Sequence, residues 1–199
     1  MVQLIMVNQM TEFPEILTDG DLELRRIKPT FEMARVVLDV VNKNREYLGA
    51  TLPWVHKTHT LEDMYDGLQH VHKNEWMYHI FLDNTFVGVL GFVRMNARAR
   101  MLEVGGWLDR DSVGRMVMVR AMRMIEQIAF CGKFGDWNRI QIASDVSNMG
   151  KKANVWQRYG YVFEGVQRQV TLYNDEIFGD IAIFSKLKSE WKDRNNCAV

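Results

Sequence analysis

The 199-residue chain is 47% hydrophobic and 25% charged, the composition of an ordinary soluble domain with enough residues to bury its own core. Its 25 Lys and Arg balance 25 Asp and Glu, so no broad basic field points to nonspecific nucleic-acid binding. Two cysteines, Cys131 and Cys197, make no disulfide framework; the opening MVQLIMVNQM lacks the basic start of a secretory signal, and no run of about eighteen apolar residues offers a spanning helix.

The segment LELRRI, Leu22 to Ile27, alternates apolar and polar residues and predicts a half-buried strand. Thr30 is placed to cap a helix in which Phe31, Ala34, Val37, Leu38 and Val41 recur at helical spacing. GATLPWVHKTHT interrupts it as a loop around Pro53, and a second helix is predicted after Thr60 through LEDMYDGLQHVHKN. Two strands should fold back on each other at Asp83-Asn84-Thr85, with a third, ARMLEVGGWLD, after a turn near Asn96. Within that third strand, Gly105 and Gly106 imply a bulge, an edge irregularity, or a place where another molecule nears the backbone.

From Gly114 to about Phe130 the period is again helical, burying Val117, Ala121, Ile125, Ile128 and Ala129, with Met118 and Met122 filling the same face. NRIQIASDV reads as a strand, GKKANVWQRYG as a short helix ended by Gly160, and the remainder as two strands around a turn near Asn174-Asp175. The expected architecture is a mixed α/β fold whose mostly antiparallel sheet has about seven strands flanked by about four helices. It occupies one domain, residues 21–191, between an N-terminal extension, 1–20, and a tail, 192–199, in a cytoplasmic protein.

Asp111 or Ser112 could cap the helix beginning near Gly114, whose first amides could meet phosphate oxygens. Arg115 would oppose the helix dipole there unless an anion offset it, although surface arginines also occupy first turns without ligands. His70 and His72 are two apart on a helix, and His56 and His59 lie in a loop, so no metal site is expected. Cys131 ends an apolar helix without a sequence-local partner and reads as a packing residue. The six tryptophans form no stacking pattern for nucleic acid; Trp54, Trp76 and Trp107 suit a core or a substrate wall.

Taken in order, NREYLGATLPWV, LEVGGWLDRDSVGRMVMVRAM, NRIQIASDVSNMGKKANVWQRYGYVFEGVQRQ and GDIAIFSKLKSEW resemble the GNAT acyltransferases. The likeness is to their RimJ/RimL-like branch, which acetylates amino groups, and it spans Leu22 to Trp191. It implies that acetyl-CoA enters beside a splayed central strand, with Gly106, Trp107 and Leu108 along its pantetheine arm. Amides of Val113, Gly114, Arg115, Met116 and Val117 would receive the diphosphate, and Asn148 would help position the donor. The family loop runs glutamine or arginine, two variable residues, glycine, one variable residue, then glycine or alanine; here it is Asp111-Ser112-Val113-Gly114-Arg115-Met116. Inward-facing Asp111 would repel phosphate, and Met116 is large where the family is small. The branch's serine three residues after the asparagine is replaced by Lys151, or by Lys152 when aligned from Tyr161.

An amine must lose a proton before it attacks a thioester. Glu103 matches an acidic position of the branch and would accept that proton or orient the amine; the alternative is an exposed strand glutamate. Tyr159 and Tyr161 carry the nearby hydroxyls, with Tyr161 in a place usually filled by buried phenylalanine, which leaves Tyr159 as the candidate donor to the thiolate. Trp54 and Glu164 fall on the substrate side. The resemblance implies direct acetyl transfer from acetyl-CoA to a primary amine, on a protein N-terminus or a small molecule, by a monomer or homodimer needing neither metal nor membrane. A GNAT-fold binding protein without activity, or one using another acyl-CoA, are the alternatives.

Overall fold

The computed structural model describes residues 12–148, 155–173 and 177–192. A sheet of eight strands runs β1 (Ile16–Asp19), β2 (Leu22–Arg26), β3 (Trp76–Leu82), β4 (Thr85–Asn96), β5 (Met101–Leu108), β6 (Arg139–Asp145), β8 (Ile177–Leu187) and β7 (Val162–Tyr173) in spatial order. Only β5 and β6 are parallel; every other neighbouring pair is antiparallel. The strand beyond the expected seven is β1, a four-residue piece turned into β2 at Gly20 (φ 62°). Four residues with one buried side chain carry too little periodicity to announce it.

Helices α1 (Phe31–Lys43), α2 (Arg45–Gly49) and α3 (Leu61–Asn74) cover one face of the sheet. Thr30 caps α1 through Met33 N, as its place in the sequence predicts. The predicted first helix does not run unbroken through Leu48, however. It breaks at Asn44 (φ −112°), whose side-chain amide donates to Val40 O and to Asp109 instead of facing solvent. Side-chain bonds of this kind compete with the helical ladder and end it. Ala34, Val37, Val41, Met64 and Leu68 pack from these helices onto Met77, Phe81, Phe86 and Val89 of the sheet.

The opposite face receives α4 (Val117–Phe130), where the predicted set Val117, Ala121, Ile125, Ile128 and Ala129 is buried together with Met122. These pack on Leu22, Leu24, Tyr78, Ile80, Leu90 and Phe92. Full burial of each isoleucine contributes about 1.5–3 kcal/mol. With apolar side chains needed on both faces, β3 and the first half of β4 are nearly continuous buried runs. Residues 155–158 are helical and Gly160 (φ 80°) ends that helix as predicted; the turn expected at Asn174-Asp175 lies outside the described residues.

Candidate active site

The parallel junction is short. β5 and β6 pair only from Met101↔Arg139 to Val104↔Ile142. Beyond it β5 stays with β4, pairing Gly105 through Leu108, while β6 stays with β8, pairing Ala143 through Asp145. The two strands part above Val104, and their facing edges form a fork.

The glycines along the β5 side of this fork answer to β4. A Cβ on Gly106 would lie 2.4 Å from Val89 O, and one on Gly105 would lie 2.8 Å from a Val93 methyl. β4 bulges between Phe92 and Arg94, so the two glycines accommodate a closely approaching strand. Trp107 turns its side chain to the α1/α3 face, where its ring lies 5.8 Å from Phe86 and 6.3 Å from Trp54. The two predicted tryptophans therefore share an aromatic wall. Leu108 is buried on the α4 side.

After β5 the chain is tied down from across the molecule. Asp109 accepts from Asn44 Nδ2 at 2.8 Å and faces Lys43 Nζ at 3.3 Å, while Asn44 Oδ1 accepts from Arg110 N at 3.0 Å. Asp111 meets Lys43 Nζ at 2.7 Å. That hydrogen bond holds the Asp111 carboxyl below its ordinary range and raises the lysine, so the misplaced acid of the loop has its own counter-charge. Sequence spacing could not reveal this, because Lys43 and Asn44 sit at the end of α1, more than sixty residues away.

Neither Asp111 nor Ser112 caps α4, contrary to expectation. Both belong to the 3-10 turn Arg110–Ser112, and α4 starts three residues later than Gly114. Gly114 (φ 85°) and Met116 (φ 64°) are both left-handed, and no side chain caps the helix. The Val113 amide already donates to Arg110 O at 3.2 Å. Among the described residues, the amides of Gly114, Arg115, Met116 and Val117 donate to no backbone carbonyl, so four donors stand together at a positive helix end. Met116 is half exposed and accepts a 3.4 Å hydrogen bond from Tyr159 Oη at its Sδ. Arg123 lies 5.8 Å over the Tyr159 ring.

A cavity of about 550 Å³ opens between α2 and this loop, lined by Glu46, Tyr47, Ala50, Arg110 and Val113. On the sheet itself, Glu103 is largely buried and accepts from Gln141 Nε2 at 3.2 Å. Glu164 is held by both arms of Arg139 (2.6 and 2.5 Å) and by Ser185 Oγ (2.7 Å). Arg139 first, and Ser185 with it, keep the Glu164 carboxyl down at about 2. Tyr161 is buried against Trp156, as its phenylalanine-like place implies, and the Lys186 ammonium lies 4.6 Å over its ring. Burial first, then the Glu126 charge, push its hydroxyl well up. The Asn148 side chain and Lys151 lie outside the described residues, and among those described no group of three or more His, Cys, Asp or Glu gathers as for a metal. No described helix is long and apolar enough to cross a membrane.

Residues 21–162 match the family described as acetyltransferase (GNAT) domain. The chain belongs to the GNAT acetyltransferase family. Over 166 residues it is 24% identical to the ribosomal-protein-serine acetyltransferase of Escherichia coli (strain K12), covering 81% of this chain and 87% of that protein. Its fold is similar to that of RimL, the ribosomal L7/L12 α-N-protein acetyltransferase solved with coenzyme A (TM-score 0.77, 23% identity, 87% of this chain and 98% of that one). It is also similar to the microcin C7 self-immunity acetyltransferase MccE solved with acetyl-CoA and AMP (TM-score 0.75, 18% identity, 85% and 93%). In this GNAT domain the fork is formed by β5 and β6, the amides without backbone partners by the loop after β5, and the aromatic wall by Trp107 of β5 with Trp54 of the 3-10 turn Pro53–His56. The expected sheet and helices are present, with one more strand.

Proposed function

We propose that this GNAT protein transfers an acetyl group from acetyl-CoA to a primary amine in the fork between β5 and β6, and that the amine is a protein N-terminus. The observation that carries the reading is the cluster of open amides at Gly114–Val117 beside diverging strands. Main-chain donors at a helix start suit a diphosphate without a basic protein surface, and Lys43 offsets the one carboxylate that would oppose it. The chain's residues thus fit the donor, which supplies the activated acetyl group. Backbone along Gly106–Leu108 would flank its arm and Asn148 would help position it. Among the described residues these donors meet no backbone carbonyl, which supports donor binding over an inactive GNAT fold with a filled cleft.

On the acceptor side, Trp54 and Trp107 form a wall, and the cavity at Tyr47 and Arg110 leaves room for residues following an N-terminus. Support for a protein acceptor comes from the relatives, two of which are described as acting on ribosomal proteins. Glu103 takes the amine's proton, and Tyr159 stands as donor to the departing sulfur. Glu164, already engaged by Arg139, keeps only an indirect place on the acceptor side. Calorimetric titration with acetyl-CoA should give a dissociation constant well below about 1 mM. Mass spectrometry of a peptide with a free N-terminus should then show one added acetyl group. Absence of binding removes the enzymatic reading; binding with acetylation of small amines alone removes the protein acceptor.

A further inference from the structure

Glu103 and Gln141 are paired in register across the parallel junction, so their side chains leave the same face of the sheet. They stand one pair below Val104 and Ile142, the last residues joined before the fork. Gln141 Nε2 donates to Glu103 Oε2, and Arg94 Nη1 lies 3.6 Å from that same oxygen. Among the described residues nothing donates to Glu103 Oε1.

An amide side chain can turn either end toward a carboxylate, and only one end is a donor. Here Arg139 decides. Its Nη2 donates to Gln141 Oε1 at 3.1 Å, and a guanidinium has no acceptor to offer the opposite orientation. Arg139 is itself fixed by the two-pronged contact with Glu164, which also takes the Ser185 hydroxyl. The hydrogen bond to Glu164 raises the arginine, and Glu164 is held at about 2, so both stay charged throughout the neutral range.

We infer that Gln141 is a positioning residue for proton transfer, its amide locked by the Arg139–Glu164 pair so that it grips Glu103 Oε2 and leaves Oε1 to receive the amine's proton. The inference rests on the proposed role of Glu103. Glu103 Oε1 takes one proton from the acceptor ammonium, directly or through a water, and later releases it to solvent. The freed nitrogen lone pair forms the C–N bond as the thioester C–S bond breaks. Sulfur leaves with the bonding pair and takes a proton from Tyr159, which the nitrogen's second departing proton replaces. Without Gln141 the carboxylate could rotate toward Arg94, and both its oxygens would be drawn from the fork.

The test is the pH dependence of kcat and KM for a peptide acceptor at saturating acetyl-CoA, in the wild type, Gln141→Met, Gln141→Glu, Arg139→Met and Glu103→Gln. Gln141→Met, similar in length but without the donor, should lower kcat about tenfold with little change in KM or in acetyl-CoA affinity. Gln141→Glu brings a second carboxylate beside Glu103 and should move the acid limb of the profile upward by about one pH unit. Arg139→Met should act in the direction of Gln141→Met but more weakly, since the amide then samples both orientations. Adding Gln141→Met to Glu103→Gln should cost nothing further. Wild-type kcat and an unmoved acid limb in both Gln141 variants, alongside a crippled Glu103→Gln, overturn the positioning role and leave Glu103 standing. Full turnover by Glu103→Gln overturns the role of Glu103 itself, and with it this inference. Should Gln141→Met fold poorly, seen as lost acetyl-CoA binding, the limb of Gln141→Glu decides alone.

Discussion

Two helices begin in opposite ways. At the start of α3, the Thr60 hydroxyl accepts from Asp63 N while the Asp63 carboxylate accepts from Thr60 N and His59 N. Those backbone bonds hold the Asp63 carboxyl below its ordinary range. At the start of α4 there is no capping side chain, the preceding residue is a left-handed methionine, and among the described residues the first amides meet no backbone carbonyl. A helix that serves only to cover the sheet closes its end with its own side chains. One that leaves the same donors without a backbone partner keeps them available, as the proposed diphosphate contact requires.

The sharpest way to break this contrast is Gly114→Val. A Cβ there meets nothing within 4 Å, so packing tolerates it, but a β-branched residue at φ 85° resists the loop geometry. Acetyl-CoA affinity should fall about 100-fold, roughly 3 kcal/mol, while the urea midpoint moves far less. Loss of folding with unchanged affinity would reverse the assignment of this loop.

The sheet beneath α3 supplies a second test. His79 is buried with its ring edge-on to Phe81 and Phe86, and burial lowers its pKa from 6.5 to about 4. Above pH 6.5 both folded and unfolded chains hold it neutral. Between 6.5 and about 4 the unfolded chain takes the proton and the folded one does not, so stability is lost as pH falls, by up to about 3 kcal/mol. Unfolding curves across that window should lose this slope in His79→Leu; an equal slope in the variant would place the titration elsewhere.

Smaller effects separate the two helix starts directly. Thr60→Ala should destabilise by about 1 kcal/mol and leave acetyl-CoA affinity alone, as thermal unfolding and calorimetry can show. Met116→Gly relieves a left-handed side chain but gives up the Tyr159 contact and adds chain entropy. Its net change in stability should stay below about 1 kcal/mol, with acetyl-CoA binding equal or tighter. Weaker binding would mean that the thioether itself helps hold the donor.

Much of the fold was legible because it depends on periodicity. LELRRI, the helix after Thr30, the hairpin at Asp83-Asn84 and the buried stripe of α4 follow from which residues must face the core, and Asp83 and Asn84 adopt the positive φ values that a two-residue turn requires. The site was legible mainly as an ordered set of motifs. Its fine structure was hidden for two reasons. Positive φ at Met116 leaves no trace in hydrophobic spacing, so α4 was placed three residues early. The partners of Glu103, Glu164 and Asp109 come from distant strands and helices, brought within reach by the parallel junction, by the antiparallel β6–β8–β7 pairing and by the break at Asn44 respectively.

The fork has a consequence for how this protein can drift. Its walls are main chain, produced by two strands choosing different neighbours, so a side-chain replacement that leaves this pairing intact leaves the opening in place. A loop with aspartate, arginine and methionine at unusual places can then sit beside an intact opening, and variation is borne more easily at the rim of that opening than in its frame.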